Sequence, residues 1–179
     1  LFVKHKAPFQ NLIHGGNQMG GKRGGSVFTN GMLAMGTALK IANENLDFIN
    51  NEIKRLRDKL AKAILEIKDT KVYIDEKYRL PNTITASFRG IEGEAMLWDL
   101  NNLGIYAATG SSCSSERLEG SEVLEALGED PEIAHTAIIF SLSKFTTEKQ
   151  IDYVIENLPK VVKRLRDISM TYAKVKPKG

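Results

Sequence analysis

The residue of this sequence best suited to covalent chemistry is Cys113, its single cysteine. It lies in the run A-T-G-S-S-C-S-S-E at residues 108–116, where glycine and small hydroxylated residues replace the apolar neighbours of a buried cysteine. This composition is typical of an exposed loop, and an exposed thiol that ionises is a nucleophile. No second cysteine is present to form a disulfide within the chain. The residues alone leave two interpretations open, a reactive thiol and a spare thiol on a polar turn.

A second candidate site is the glycine-rich segment 15–26, which ends at Ser26. Its G-N-Q-M-G-G-K run matches the first part of a nucleotide-binding P-loop, but Arg23 stands where that motif needs serine or threonine for magnesium. The segment therefore does not predict nucleotide hydrolysis. Backbone N–H groups and the Ser26 hydroxyl near a helix start still suit a phosphate, to which Arg23 could add charge. A glycine turn with only a structural role is the alternative.

Composition and charge exclude several classes of protein. The 179 residues, 42% hydrophobic and 26% charged, are ordinary for a globular protein. A net charge of +3 predicts no nucleic-acid partner, and the apolar runs are too short to predict a membrane span. A single cysteine fits a reducing compartment, which favours the cytoplasm. Because the sequence begins at Leu1, within an apolar run, we expect a piece of a longer protein.

The apolar pattern predicts an α/β domain in which helices cover one small mixed sheet, preceded by the glycine-rich segment and a long helical region. Thr147 and Gln150 fit a capping box for a last helix, in which Pro159 implies a kink or a restart. Ser121 can cap a short helix over 123–127. Helices are also predicted at 32–67 and 92–103, and strands at 1–3, 71–75, 83–88, 105–108 and 137–142. The strand at 105–108 leads directly into the cysteine loop, and α/β proteins tend to place chemistry at strand ends.

Several stretches, taken together, resemble the pyridoxal-phosphate-dependent cysteine desulfurases of the NifS and IscS type, which have the class V aminotransferase fold. The resemblance covers nearly the whole chain and identifies it as the C-terminal part of such an enzyme. The matching stretches are L-I-H-G-G-N-Q at 12–18, R-G-G-S at 23–26, L-P-N-T at 80–83, S-F at 87–88, E-G-E at 92–94, G-S-S-C-S-S at 110–115, A-H-T-A at 134–137 and F-T-T-E at 145–148.

The resemblance implies the fold and its division. It implies the C-terminal small domain of a fold-type I pyridoxal-phosphate enzyme. Residues 1–30 would end the large cofactor-binding region and include the glycine-rich loop. Residues 31–70 would form a long connecting helical region, and residues 71–179 the small domain with the cysteine loop.

The resemblance also implies site residues and partners. Cys113 would attack the sulfur of the substrate L-cysteine and hold it as a persulfide, leaving alanine. Ser26 replaces a threonine that contacts the phosphate of pyridoxal 5'-phosphate in the partner subunit's site, which implies a homodimer. The sulfur would pass to an iron–sulfur scaffold or another acceptor protein, with no nucleic-acid or membrane partner.

Departures from the family pattern leave alternatives open. The cofactor lysine belongs to a part of such enzymes that this chain does not contain, so we expect the chain alone to be inactive. Ile139 occupies the place of an arginine that binds the substrate carboxylate, and Asn17 and Met19 replace a glycine and a glutamate. The alternatives are a degenerate fragment or homologue that does not bind the cofactor and acts as a sulfur-relay or protein-interaction module, and a relative acting on another amino acid.

Three further residues have both a functional and a structural interpretation. His14 and His135 match family motifs, yet each could be a structural histidine. Trp98 lies on the helix predicted after Glu92, where a core or interface position is favoured over a functional one.

Overall fold

The computed structural model describes residues 3–5, 7–110, 121–170 and 172. Cys113 lies outside these residues, as do Leu1 and Phe2, on which the first predicted strand falls; Val3 is not in a strand. Backbone contacts divide the chain into two compact units, Leu1–Glu44 and Asn45–Gly179. None of the described helices is both long and apolar enough to cross a membrane.

The first unit contains the glycine-rich segment and one long helix. Helix α1 (Gln18–Gly21) is a single distorted turn, in which Met19 has a φ of 55°. Helix α2 (Thr29–Glu44) buries none of its residues. The predicted helical region 32–67 is therefore not one helix, since α2 ends at Glu44 and the next helix begins in the second unit.

The second unit is built around a sheet whose strand order is β1-β2-β4-β3. The strands are β1 (Thr70–Val72), β2 (Thr83–Phe88), β3 (Ala108–Thr109) and β4 (Ala137–Ser141). The helices are α3 (Leu46–Phe48), a π-helix (Ile49–Ile53), α4 (Lys54–Leu65), a 3₁₀ turn (Glu76–Tyr78), α5 (Gly93–Asn102), α6 (Glu122–Ala126), α7 (Pro131–Ala134) and α8 (Glu148–Ile168).

The α/β class is confirmed, but the prediction of a mixed sheet is wrong for the described strands. Strands β2 and β3 run in the same direction, and helix α5 lies between them in the sequence. However, β4 inserts between them and pairs antiparallel with both, and β1 pairs antiparallel with β2. The sheet is therefore antiparallel throughout.

One face of the sheet carries the main core. Helices α4, α5 and α8 cover this face. Within the helical region predicted at 32–67, an apolar stripe is buried in this core from Ile53 onwards. Its buried members are Ile53, Leu56, Leu60 and Ile64, which pack with the alternate strand residues Ile84, Ala86, Phe88, Ile138 and Phe140. The opposite face bears a smaller cluster with α6 and α7, formed by Tyr73, Leu124, Ala134 and Ala137.

Two predicted strands differ from the observed ones. The strand expected at 71–75 ends at Val72, because Ile74 turns out of the sheet with a φ of 67° and its carbonyl accepts a hydrogen bond from Arg79 at 2.6 Å. The strand expected at 105–108 consists only of Ala108 and Thr109, because residues 105–107 do not pair with β4.

The last helix confirms the predicted capping box. The Thr147 side chain accepts a hydrogen bond from the Gln150 backbone at 3.4 Å, and Thr147 N–H donates to Gln150 Oε1 at 2.9 Å. Of the two alternatives predicted at Pro159, a kink or a restart, the restart does not occur, since α8 continues through the proline, with the buried Leu158 and Val161 on either side. Ser121 does precede α6, but its side chain makes no capping hydrogen bond.

Candidate functional site

The two ends of the segment that carries Cys113 touch each other. The chain leaves the sheet through Gly110, directly after β3, and re-enters the described structure at Ser121, before α6. A Cβ atom placed on Gly110 would lie 2.8 Å from both the Cβ and the Oγ of Ser121, which is buried. Cys113 itself lies outside the described residues, so the structure defines the base of its segment rather than the thiol.

The outgoing end of this segment is fixed by its neighbours. Thr109 pairs with Ile138 in the β3–β4 ladder. Beside this pair, helix α5 begins at the buried Gly93, whose N–H donates to the backbone oxygen of His135 at 3.2 Å. Strands β3 and β4 and the start of α5 therefore meet where the cysteine segment begins.

Ile139 occupies the middle of a row of side chains across three strands. It is paired with Thr85 of β2 on one side and with Ala108 of β3 on the other. Its chain neighbours Ile138 and Phe140 point into the main core, whereas Ile139 is half-buried on the opposite face. An aliphatic side chain cannot donate a hydrogen bond, so position 139 offers a carboxylate no charged contact.

Ser26 lies in the first unit, on the exposed chain between the glycine-rich segment and α2. Helix α2 begins at Thr29, so Ser26 is nearer to the helix start than the predicted bounds 32–67 place it. The preceding turn is held by a hydrogen bond from Gly24 N–H to the oxygen of Ile13 at 2.9 Å. Arg23 is also exposed. The hydroxyl of Ser26 and the guanidinium of Arg23 are groups that can contact a phosphate.

The structure gives the exposure of His14, His135 and Trp98, for which the sequence allowed both a functional and a structural interpretation. His14 and His135 are both exposed. His14 lies at the close approach of its backbone to Gly24, and His135 directly follows α7. Trp98 is 72% exposed, so a core position is excluded.

A polar cluster of the second unit, buried at Tyr73 and Ser87 and exposed at Lys71, was not predicted from the sequence. We call Lys71, Tyr73, Ser87 and Glu129 the Glu129 cluster. Lys71 forms an ion pair with Glu129, and the hydroxyls of Tyr73 and Ser87 lie 3.0 Å apart. Burial, with a hydrogen bond to Glu129, raises the pKa of Tyr73 to about 12. The hydrogen bond from Lys71 lowers the pKa of Glu129 below its usual value. No local pattern reveals the cluster, because Lys71 and Glu129 are far apart in the sequence.

Two clefts of the second unit lie apart from these residues. One of about 490 Å³ is lined by Asn50, Lys54, Asp75, Lys77, Arg79 and Pro81. Another of about 460 Å³ lies between the end of β4 and the start of α8. Gly110, Ser121 and Ile139 line neither of the two. Across the described ranges, no group of three or more His, Cys, Asp or Glu residues could hold a metal ion.

Comparison with known proteins agrees with the motif resemblance. The chain is 42% identical over 173 residues to the cysteine desulfurase IscS of Clostridium botulinum, covering 94% of this chain and 43% of that protein. It is 43% identical over 170 residues to cysteine desulfurase 2 of Trichormus variabilis, with 94% and 42% covered. The solved structure of a NifS-like protein superposes with a TM-score of 0.78 at 31% identity, covering 92% of this chain and 42% of that one.

The chain thus spans less than half the length of the relatives that it matches. The profile of the family described as aminotransferase class-V matches residues 15–154, which is most of the chain. This chain therefore belongs to the aminotransferase class-V family, and the relatives that it resembles are named cysteine desulfurases.

Proposed function

We propose that this chain is part of a cysteine desulfurase in which Cys113 takes up sulfur from L-cysteine. The observation that carries the proposal is the contact between Gly110 and Ser121 at the end of β3. It gives the segment with the single cysteine one base on the sheet, at the end of β3. The names of the relatives support the same activity.

The chemical step assigned to Cys113 is a sulfur transfer. Its thiolate forms a bond to the sulfur of L-cysteine while the carbon–sulfur bond of the substrate breaks. The electron pair of that bond remains on the carbon, which takes up a proton to give alanine. Cys113 then holds the sulfur as a persulfide until an acceptor thiol removes it.

Pyridoxal 5'-phosphate is the cofactor that this proposal requires. When bound, it supplies an electron sink for bond breaking next to the substrate amino group. The exposed Ser26 hydroxyl, with Arg23 nearby in sequence, is a donor set that fits its phosphate. We assign the covalent attachment of the cofactor to the remaining part of a longer protein, since the chain matches less than half of its relatives.

The wider setting is also part of the proposal. Ser26 would contact the cofactor of the partner subunit, so the active form would be a homodimer. We expect a cytoplasmic enzyme that passes sulfur to an iron–sulfur scaffold or another acceptor protein.

The proposal is tested with the full-length protein carrying C113S. We expect loss of sulfide release from L-cysteine in the presence of dithiothreitol, because serine cannot form a persulfide. The matched control is S112A, which alters the neighbouring position and keeps the thiol. Sulfide release by C113S at the rate of the S112A control would refute the role of Cys113.

Ile139 favours a second candidate, in which the protein acts on another amino acid or only relays sulfur. Its aliphatic side chain, set between Thr85 and Ala108, offers no charge to a substrate carboxylate. In the full-length protein, I139R tests whether the protein acts on another amino acid. A gain of activity on L-cysteine supports this alternative, and no gain rejects the argument from Ile139.

The sulfur relay is tested by mass spectrometry after treatment with a persulfide donor, without pyridoxal phosphate. A stable sulfur adduct on Cys113 supports the relay.

A further inference from the structure

The cleft of about 460 Å³ between the end of β4 and the start of α8 takes no part in the proposed reaction. It lies where the chain at residues 104–106 separates from β4, since residues 105–107 do not pair with that strand. All of the residues that line it belong to the second unit. A cleft of this size can enclose a small molecule. We call it the α8 cleft.

The floor of the α8 cleft is apolar and already formed. The side chains that make it are at most 7% exposed and belong to the main core. They are Leu60, Ile105, Phe140, Leu142 and Ile151. Because α4, β4 and α8 hold most of this floor in place, an apolar group can pack on it without rearranging the core.

The rim of the α8 cleft carries two tyrosines. Tyr106 is 81% exposed and Tyr153 is 46% exposed, although both line the cleft. The Tyr153 hydroxyl donates a hydrogen bond to the backbone oxygen of Leu103 at 3.2 Å, which ties the start of α8 to the chain after α5. Aromatic rings beside an apolar floor provide further contact area for a ligand.

The charge at the rim is positive. Among the described residues that line the cleft, Lys149 is the one charged side chain. Its neighbours on α8 with carboxylates, Glu148 and Asp152, are both bound by Lys59 of α4, at 2.8 and 2.6 Å. In the described part of the chain, Lys149 itself has no ion-pair partner. The cleft therefore combines an apolar floor with one ammonium group at its edge.

We propose that the α8 cleft binds a small amphipathic anion, whose aliphatic or aromatic group packs on the apolar floor while its carboxylate pairs with Lys149. Removal of the apolar group from water favours binding, and the ammonium group selects the sign of the charged end. This site does not involve Cys113, so its test is independent of the proposed function.

The experiment uses the full-length protein and three probes that share an eight-carbon chain: octanoate, octan-1-ol and octylammonium. Isothermal titration calorimetry measures their dissociation constants at low and high salt. The variants are K149E, which reverses the charge at the rim, and V154W, which fills the cleft that Val154 lines. The matched control is K163E, which makes the same change of charge at an exposed position of α8 outside the cleft, about 21 Å along the helix from Lys149.

We expect the wild-type protein to bind octanoate most tightly and octylammonium least tightly. K149E should weaken octanoate binding by about 10-fold and leave octan-1-ol binding unchanged, because it alters the charge and not the floor. High salt should reduce the preference for octanoate over octan-1-ol. V154W should weaken the binding of all three probes, and K163E should bind them as the wild-type protein does.

Several outcomes would overturn the inference. Equal effects of K149E and K163E on octanoate would contradict the pairing with Lys149, and affinities unchanged in V154W would place the probes outside the cleft. Absence of saturable binding to the wild-type protein would assign the cleft to contact with protein, either the rest of a longer chain or a second copy. Where V154W does not fold, Y106A replaces it, since loss of the exposed ring should weaken octanoate and octan-1-ol alike. Unchanged affinity for both would reject the cleft as the binding site.

Discussion

Gly110 and Ser121, at the two ends of the segment that carries Cys113, are packed so closely that no side chain fits between them. A Cβ on Gly110 would lie 2.8 Å from the Cβ and Oγ of Ser121, while the Ser121 Cα is 3.8 Å away. The first two distances are shorter than van der Waals contact allows, and the third is an ordinary contact. The obstacle to a larger residue at Gly110 is therefore the Ser121 side chain rather than its backbone.

We predict that G110A slows persulfide formation on Cys113 in the full-length protein. The added methyl group must push Ser121 away, which separates the ends of the segment and costs about 1–3 kcal/mol of stability, as overpacking does. The rate is measured by mass spectrometry after mixing with L-cysteine, and the stability by urea denaturation.

The double variant G110A/S121G is the matched control for this prediction. It removes the Ser121 atoms that the methyl group meets, and Ser121 makes no capping hydrogen bond whose loss would add to the effect. We expect the double variant to recover most of the rate. Equal rates in G110A and the wild-type protein would show that the contact is without influence on sulfur transfer.

A second prediction concerns Arg57, which is wholly buried. Its guanidinium donates to the oxygen of Leu80 at 2.7 Å and to Asp58 at 2.8 Å. R57A leaves these acceptors without their partner and opens a cavity, so we expect the free energy of unfolding to fall by about 3 kcal/mol or more. Urea denaturation of the full-length protein measures the change.

Arg55 gives the comparison for this prediction. Its guanidinium bonds to Glu52 and Glu148 at the surface, where both carboxylates are about half exposed. Exposed ion pairs contribute little to stability, so R55A should cost much less than R57A. Equal losses of unfolding free energy in R55A and R57A would contradict the larger contribution assigned to the buried Arg57.

A third prediction concerns the pH dependence of the contact between α4 and α8. Hydrogen bonds from Arg55 and Lys59 lower the pKa of Glu148 from 4.5 to about 2. Because the folded-state pKa lies below the unfolded one, the ionised carboxylate stabilises the fold fully above pH 4.5 and loses this effect as the pH falls to about 2. We therefore expect E148Q to lower the melting temperature at neutral pH and to match the wild-type protein near the lower pKa.

The control for Glu148 is Glu156, whose pKa is lowered by one partner, Lys160, on the same helix. A single exposed pair should give E156Q a smaller effect at neutral pH than E148Q. High salt should shrink both differences, since both groups are exposed. A difference between E148Q and wild type that persists unchanged through the acid range would contradict the assignment.

Local patterns predict the parts of the fold that depend on local interactions. The alternation in residues 83–88 predicts β2 at its observed bounds, and Thr147 with Gln150 predicts the start of α8. The prediction of a strand at 105–108 is wrong for residues 105–107. Pairing with β4 depends on tertiary structure, and β4 pairs with β3 only at Ala108 and Thr109. The antiparallel sheet could not be predicted either, since nothing local places β4 between β2 and β3.

In the candidate site, too, local motifs predict some residues, whereas other contacts depend on tertiary structure. Cys113, Ser26 and Ile139 are predictable as candidates because each lies in a motif that resembles the family. The Glu129 cluster is not predictable, because Lys71 and Glu129 meet only through the packing of α6 and α7 on the sheet. The chain contact between Gly110 and Ser121 is likewise a product of tertiary structure.

The last prediction concerns Gly24, in the first unit, which is buried against the backbone of the preceding turn. A Cβ on Gly24 would lie 2.6 Å from the oxygen of His14 and 2.8 Å from the Cα of Gly15. Backbone atoms cannot move aside as a flexible side chain does, so G24A should distort the chain that leads to Ser26. Under the proposed function, G24A weakens binding of pyridoxal phosphate to the full-length protein, measured by absorbance titration.

The matched control is G36A, in α2. A Cβ at Gly36 meets nothing within 4 Å, and alanine favours a helix over glycine by up to about 1 kcal/mol. We expect G36A to bind the cofactor as the wild-type protein does and to be equally or more stable. If G24A binds the cofactor with unchanged affinity and keeps its stability, the backbone contacts of Gly24 are not needed for cofactor binding. The phosphate contact proposed for Ser26 would then lose this support.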